Sequence, residues 1–125
     1  PIPRSLWIEL SQACSREGVT PFAWIQAAFH LFIHCYTGAE DFCTGTGFAN
    51  RRDPGFHKML GMAINTLPVR ARFEGIVTFR DLLRKTHDSL RFALDNQELP
   101  FEIVVKDLNP EREANSNPFF NAFVA

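Results

Sequence analysis

The chain has 125 residues, of which 46% are hydrophobic and 22% charged, and its formal net charge is −1 at neutral pH. This length supports one compact core and is too short for two. The near-zero charge argues against nucleic-acid binding, and no apolar run approaches the roughly 20 residues of a membrane-spanning helix.

Two helices are predicted at the start of the chain. Ser5 is expected to cap a helix that runs to about Glu17, and Thr20 followed by Pro21 predicts the start of a second helix, which Gly38 ends. The wide apolar face of the second helix predicts burial on more than one side. The apolar side chains that recur at helical spacing there are Phe22, Ile25, Ala28, Phe29, Phe32, Ile33 and Tyr36.

The rest of the chain alternates between strands and helices. Strands are predicted at 41–47, at 64–73 and at 119–124, and Pro68 within the second strand favours a sheet edge or a bulge. Thr78 with Asp81 predicts a capping box for a third helix. Pro100 opens a short fourth helix that ends before Asn109 and Pro110. The pattern indicates an α/β fold.

Several familiar kinds of site find little support. His30 and His34 have a spacing that could chelate zinc, but the metalloprotease pattern His-Glu-x-x-His is absent, so packed or surface histidines are the favoured interpretation. Gly45-Thr46-Gly47 lacks the further residues of a nucleotide-binding loop. Three cysteines without a Cys-x-x-Cys pair argue against disulfides and structural zinc, and favour reduced thiols in the cytoplasm. No metal or bound cofactor is therefore expected.

The most informative stretch is residues 60–70, Leu-Gly-Met-Ala-Ile-Asn-Thr-Leu-Pro-Val-Arg, which sets Asn65 and Arg70 in an apolar run. Such polar groups are costly to bury unless each finds a partner. Asn65 therefore either satisfies strand-end backbone groups or faces something that binds. For Arg70, and for Arg51 upstream, a structural ion pair is favoured over a substrate clamp.

These residues resemble a motif of the condensation domains of non-ribosomal peptide synthetases. Three further stretches resemble other motifs of that family, in the family's order: Tyr36-Thr37-Gly38 leading to Arg51, Asn96-Gln97-Glu98-Leu99-Pro100-Phe101-Glu102, and Arg112 with Asn117-Pro118. The family's catalytic signature, His-His-x-x-x-Asp-Gly, does not occur in the chain. The chain thus resembles the C-terminal half of a condensation domain, taken from a longer polypeptide.

The resemblance implies a fold like chloramphenicol acetyltransferase, with two α/β lobes, of which residues 1–125 would be the C-terminal lobe. The catalytic N-terminal lobe would lie outside this chain. The implied reaction is amide bond formation between a donor acyl thioester and an acceptor aminoacyl thioester, both carried on phosphopantetheine. The implied partners are the upstream and downstream peptidyl carrier domains and the N-terminal lobe. Without the catalytic histidine, the chain alone is expected to be inactive.

The resemblance also assigns roles to residues. Asn65 and Thr66 would line the substrate tunnel. The structural motif residues would be Arg51, Gly61, Arg70, Gln97, Pro100, Phe101, Asn117 and Pro118. Three alternatives remain open. The first is a non-catalytic, condensation-like domain that docks carrier proteins or tailoring enzymes. The second is a related epimerase, which the stretch at 65–70 disfavours, and the third is a stand-alone acyltransferase that uses coenzyme A, which the motif at 96–102 disfavours.

Overall fold

A computed structural model describes residues 2–49, 64–110 and 117–125. Within these ranges the α/β prediction is confirmed, with four helices and three strands. In chain order they are α1 (Arg4–Glu17), α2 (Pro21–Thr37), β1 (Asp41–Phe48), β2 (Asn65–Arg72), α3 (Phe79–Asp95), α4 (Phe101–Leu108) and β3 (Phe123–Val124). None of the helices in the described ranges combines the length and hydropathy needed to cross a bilayer.

The helix starts follow local capping chemistry, with one correction. Thr20 caps α2 by accepting a hydrogen bond from the Ala23 amide at 3.1 Å. Thr78 and Asp81 form the predicted capping box of α3. The prediction that Ser5 caps α1 was wrong, because Pro3 is the N-cap residue and Ser5 lies inside the helix. The fixed φ of proline and its missing N–H suit the helix entrance.

The three strands form one sheet in the order β2-β1-β3. β1 and β2 pair antiparallel from Asp41 opposite Arg72 to Phe48 opposite Asn65, without a bulge. Pro68 therefore lies on an edge strand of the described sheet, as predicted. It stands opposite Gly45, whose amide donates to Ala122 on the other side of β1. The missing N–H of Pro68 thus faces the outer edge and costs no bond to β1.

The core lies between the sheet and helices α2 and α3. On β2, the alternate residues Leu67, Val69 and Ala71 are 6%, 1% and 3% exposed. From α3, Leu82, Leu83 and Leu90 are also buried. This arrangement leaves Thr66, Pro68 and Arg70 on the opposite face of the sheet, because side chains alternate along a strand.

The predicted buried face of α2 was wrong. The buried residues of the helix are Ala23, Gln26, Ala27 and His30, whereas Phe32 and Tyr36 are 61% and 83% exposed. The alanines pack against α3, and Ala23 also against Leu67 and Val69 of β2, while Gln26 and His30 hydrogen-bond to Thr44 in the core. The larger aromatic side chains are left to form a stacked row, with Phe32 lying between Phe29 and Tyr36 at 6.4 and 6.0 Å.

The predicted closing strand is much shorter than expected. Only Phe123 and Val124 pair with β1, in parallel, opposite Gly45 and Thr46. Before them, Asn117 accepts hydrogen bonds from the amides of Phe119 and Phe120 at 3.1 and 3.4 Å, which bends the backbone. The bend turns the ring of Phe120 onto Gly45.

Candidate functional site

Asn65 begins β2, and its side chain connects that strand to the turn between α3 and α4. Its amide nitrogen Nδ2 donates to the backbone carbonyls of Gln97 and Leu99, at 2.8 and 2.7 Å. A side-chain amide nitrogen carries two hydrogens, so both are engaged. What Asn65 can still offer a ligand is the acceptor atom Oδ1.

Thr66 lies on the sheet face that points away from α2 and α3. It is half-buried and stands opposite Gly47 in the register of β1 and β2. Glycine adds no side chain there, and a Cβ atom on Gly47 would first meet Cγ2 of Ile64 at 3.3 Å. Thr66 therefore stands next to Asn65, on a sheet face where the side chains of Ile64 and Phe123 also reach Gly47.

The turn that Asn65 contacts is itself held by local hydrogen bonds. Gln97 is only 4% exposed and donates from Nε2 to the carbonyl of Leu94 at 3.0 Å. The Leu99 amide donates to the Asn96 carbonyl at 3.1 Å. Pro100, with φ of −61°, is the N-cap residue of α4. These residues set the direction in which α4 leaves the turn.

Phe101 links this turn to the segment before β3. Its ring lies 6.0 Å from that of Phe119 and 5.6 Å from that of Phe120. Asn117 and Pro118 precede those aromatics, with Pro118 half-buried. Two of the predicted motifs, one around Pro100 and Phe101 and the other around Asn117 and Pro118, are thus in contact in space.

Beside that segment, an open groove of about 640 Å³ runs between α2 and β1. Its walls include Ile33, Phe42, Cys43 and Phe119. Burial raises the pKa of the Cys43 thiol, so the thiol is protonated and a poor nucleophile at neutral pH. The groove offers apolar surface and no evident catalytic group.

Arg70 forms a two-pronged ion pair with Asp41 at the opposite end of β2 from Asn65. Its Nε and one terminal nitrogen lie 2.7 and 2.6 Å from the two carboxylate oxygens. The hydrogen bonds from Arg70 hold the pKa of Asp41 below its usual range. Arg51 and Gly61, the other two predicted motif residues upstream of Asn65, lie outside the described residues.

A polar cluster lies in the core beneath β1. His30 is fully buried, with Nε2 at 2.9 Å from the Thr44 hydroxyl and Nδ1 at 3.4 Å from that of Thr86. Gln26 Nε2 donates to the Thr44 oxygen at 2.6 Å and lies 3.2 Å from His30 Nε2. The contacts are satisfied when the ring proton is on Nδ1 and Nε2 accepts. Burial lowers the pKa of His30 to about 4.

The two histidines at helical spacing, His30 and His34, make separate contacts and do not form one site. His30 belongs to the buried cluster, while His34 donates from Nδ1 to the Ala39 carbonyl at 2.8 Å and stacks on Phe73 at 4.0 Å. In the described part of the chain no three His, Cys, Asp or Glu side chains come together as metal ligands do.

Sequence reasoning missed two features of this region. One is the buried group of Gln26, Thr44 and Thr86 around His30, for which Gln26 and His30 at positions i and i+4 were the available signal. The other is the packing of Phe120 on Gly45. Only the glycine spacing on β1 hinted at a close approach, and nothing in the sequence identified the ring that makes it.

Comparison with solved structures gives the fold. The condensation domain of the monacolin K polyketide synthase superposes with a TM-score of 0.86 at 25% identity, over 98% of this chain and 29% of that one. A four-domain nonribosomal peptide synthetase bound to AMP and glycine superposes with a TM-score of 0.92 at 21% identity, over 98% of this chain and 9% of that one.

Comparison with characterised proteins gives the family. Phosphinothricin tripeptide synthetase PhsC of Streptomyces viridochromogenes is 36% identical over 124 residues, 98% of this chain. Bacitracin synthase 1 of Bacillus licheniformis is 34% identical over 116 residues, 93% of this chain. The chain spans only 11% and 2% of these two relatives. The family profile of the condensation domain matches residues 3–125, and the chain belongs to that family.

Proposed function

We propose that this chain is the C-terminal lobe of a condensation domain that forms an amide bond in non-ribosomal peptide synthesis, in the cytoplasm. The supporting observation is the family match over residues 3–125, together with relatives above 30% identity that are peptide synthetases. The substrates would be a donor acyl thioester and an acceptor aminoacyl thioester. Both would be attached to phosphopantetheine arms of upstream and downstream carrier domains.

The proposed reaction needs no cofactor bound to this chain, because the bonds and the proton are accounted for by the two substrates. The acceptor amine attacks the carbonyl carbon of the donor thioester, and a tetrahedral oxyanion forms. Its collapse breaks the carbon–sulfur bond, so the donor arm leaves as a thiolate that takes up the proton lost by the amine. The product is an amide on the acceptor arm. A base that manages this proton would come from the lobe outside this chain.

Asn65 and Thr66 would form part of the wall along which the arms and acyl groups pass. Thr66 brings a hydroxyl on the sheet face that points away from α2 and α3, and Asn65 brings the single acceptor Oδ1. Neither is a proposed catalytic base. Gln97, Pro100 and Phe101 would support this wall, and Asn117 with Pro118 would fix the segment that packs against Phe101.

The first experiment uses the intact protein that carries this chain. Its sequence before Pro1 is read for His-His-x-x-x-Asp-Gly, and the protein is supplied with donor-loaded and acceptor-loaded carriers while mass spectrometry follows the acceptor. An intact motif with amide product supports the proposal. A degraded motif without product would overturn catalysis in favour of a docking platform. The 125-residue chain alone should give no product, and turnover by it would contradict the assignment of the catalytic group to the other lobe.

A second experiment tests the position of Thr66. In the intact protein, Thr66→Trp would place a large ring in the proposed passage, and we expect product formation to fall by more than about tenfold. Val77→Trp is the matched control, because Val77 is 88% exposed in the loop before α3. Full activity of Thr66→Trp would show that this sheet face does not line the passage.

A further inference from the structure

The two hydrogen bonds of Asn65 join parts of the chain that are far apart in sequence. Gln97 and Leu99 follow Asn65 by 32 and 34 residues, yet their carbonyls converge on one amide nitrogen. Leu99 is 46% exposed and the bond to its carbonyl is open to solvent, whereas Gln97 is 4% exposed, so water competes poorly for the bond to its carbonyl. A backbone carbonyl that loses its partner in such a place costs more than an exposed one.

This geometry excludes one role and indicates another. An oxyanion or a thioester carbonyl needs a hydrogen-bond donor, and both donors of Asn65 already point at the protein's own carbonyls. The same bonds hold the turn of residues 96–100 against the first residue of β2. Since Thr66 is the next residue along β2, the place of its hydroxyl depends on where this end of the strand is held.

We propose that Asn65 is a positioning residue, whose amide fastens the turn between α3 and α4 to the start of β2 and thereby fixes Thr66. This inference rests on the proposed function for the statement that Thr66 meets substrate. The contact by which Asn65 holds the turn against β2 does not depend on the proposed function. The chemical requirement is two N–H donors on one nitrogen at this position, which aspartate and alanine cannot supply.

Three variants of the intact protein test the proposal. Asn65→Asp keeps the size of the side chain and replaces the donors by carboxylate oxygen, which the two carbonyls repel. Asn65→Ala removes the donors without adding charge and serves if the aspartate variant does not fold. Asn96→Ala is the matched control. It removes an amide at the same turn that donates at 2.8 Å to the Phe92 carbonyl within the helix and does not reach β2.

The first readout is hydrogen–deuterium exchange in peptides that cover residues 96–104. We expect the Leu99 amide to exchange about tenfold faster or more in the Asn65 variants, and nearly as in the wild type in Asn96→Ala. Unchanged exchange in both Asn65 variants would overturn the proposal whatever the activity of the protein.

The second readout is KM for the acceptor-loaded carrier. A smaller folded fraction scales kcat and leaves KM in place, whereas a displaced Thr66 changes KM. We expect KM to rise about threefold or more in Asn65→Ala, with Asn96→Ala unchanged. Faster exchange with an unchanged KM would leave Asn65 a purely structural residue and overturn its positioning role. A wild-type protein that makes no product would instead count against the proposed function.

Discussion

The ring of Phe120 lies directly on the backbone of Gly45 in β1. A Cβ atom placed on Gly45 would stand within 2.7 Å of three ring carbons of Phe120, closer than side-chain atoms pack. The glycine thus makes room for the segment that leads into β3. This contact, together with the bend at Asn117, explains why the segment leaves the strand conformation predicted for it.

We therefore expect Gly45→Ala to destabilise the protein by about 1–3 kcal/mol, the usual cost of adding a methyl group to a packed site. Gly47→Ala is the control two residues along the same strand, where the nearest side-chain atom would lie at 3.3 Å. Its effect should remain below about 1 kcal/mol. Urea unfolding curves with a common slope measure both. Equal losses would show that Phe120 does not occupy this position.

The contact can be isolated with a second substitution. If the ring causes the loss, Gly45→Ala should cost less in a Phe120→Ala background, since the added methyl then has space. The coupling free energy of this double-mutant cycle should be at least about 0.5 kcal/mol. A coupling of zero would attribute the loss to the strand backbone.

Because His30 is buried, we expect the protein to lose stability in mild acid. Its pKa is lowered by burial to about 4, against 6.5 for a free histidine, and its partners Gln26, Thr44 and Thr86 are neutral. The folded state therefore keeps the ring neutral while the unfolded state takes up a proton below pH 6.5. The free energy of unfolding is therefore undiminished by this group above pH 6.5 and decreases as the pH falls towards about 4. The decrease between pH 7 and pH 5 is about 2 kcal/mol.

The measurement is the free energy of unfolding as a function of pH for the wild type and for His30→Gln. The variant starts less stable because it breaks the cluster, but its slope between pH 7 and pH 5 should be shallower than that of the wild type. Identical slopes for the wild type and His30→Gln would contradict a neutral buried ring.

The sequence predicted the helices better than their packing. Thr20, Pro21 and Gly38 located α2, because caps and stops act on the nearby backbone. The buried face was mistaken, since hydrophobic periodicity assumes that large apolar side chains point inward. Here Ala23 packs against β2 and α3, Ala27 packs against α3, and the buried Gln26 and His30 hydrogen-bond to one another and to threonines. Such pairing depends on the position of β1, which local pattern cannot supply.

For the candidate site, too, the sequence predicted a local feature but not the contacts that depend on the fold. The lone amide in residues 60–70 identified Asn65 as a residue that needs partners, and the structure places partners on it. The sequence could not tell which partners, because Gln97 and Leu99 lie more than 30 residues away and bind through their backbone. A backbone carbonyl carries no residue-specific signal, so this contact becomes visible only with the fold.

The capping box at the start of α3 gives a local prediction. The Thr78 hydroxyl oxygen accepts from the Asp81 amide at 3.2 Å, and Asp81 accepts in return from the Thr78 amide at 2.9 Å. Thr78→Ala should cost about 1 kcal/mol, and Thr78→Ser should retain most of the stability. Thermal unfolding of both variants tests this. A serine variant as unstable as the alanine variant would assign the loss to the methyl group and not to the cap.

The Thr78 hydrogen bonds also lower the pKa of Asp81. A carboxyl group with a depressed pKa in the folded state stabilises the protein above its unfolded pKa, and this contribution disappears as the pH falls through the folded pKa. The stability difference between the wild type and Asp81→Asn should therefore shrink below about pH 4. A difference that is constant from pH 7 to pH 3 would mean that the carboxylate charge takes no part in the cap.

Arg70 forms an ion pair with Asp41, and a substitution at Arg70 distinguishes a structural role of this arginine from a substrate-binding role. Both side chains are about half exposed, at 59% and 45%, so water and salt screen their attraction. Arg70→Gln should lower the melting temperature slightly at low salt, and the difference should shrink in about 1 M NaCl. Lys106→Gln, which removes one positive charge from the exposed end of α4, controls for the change in net charge.

In the intact protein, kcat/KM of Arg70→Gln for condensation should stay within about twofold of the wild type. A guanidinium that clamped a substrate carboxylate or phosphate would instead lose binding, and a KM raised by tenfold or more in Arg70→Gln at unchanged stability would overturn the structural assignment.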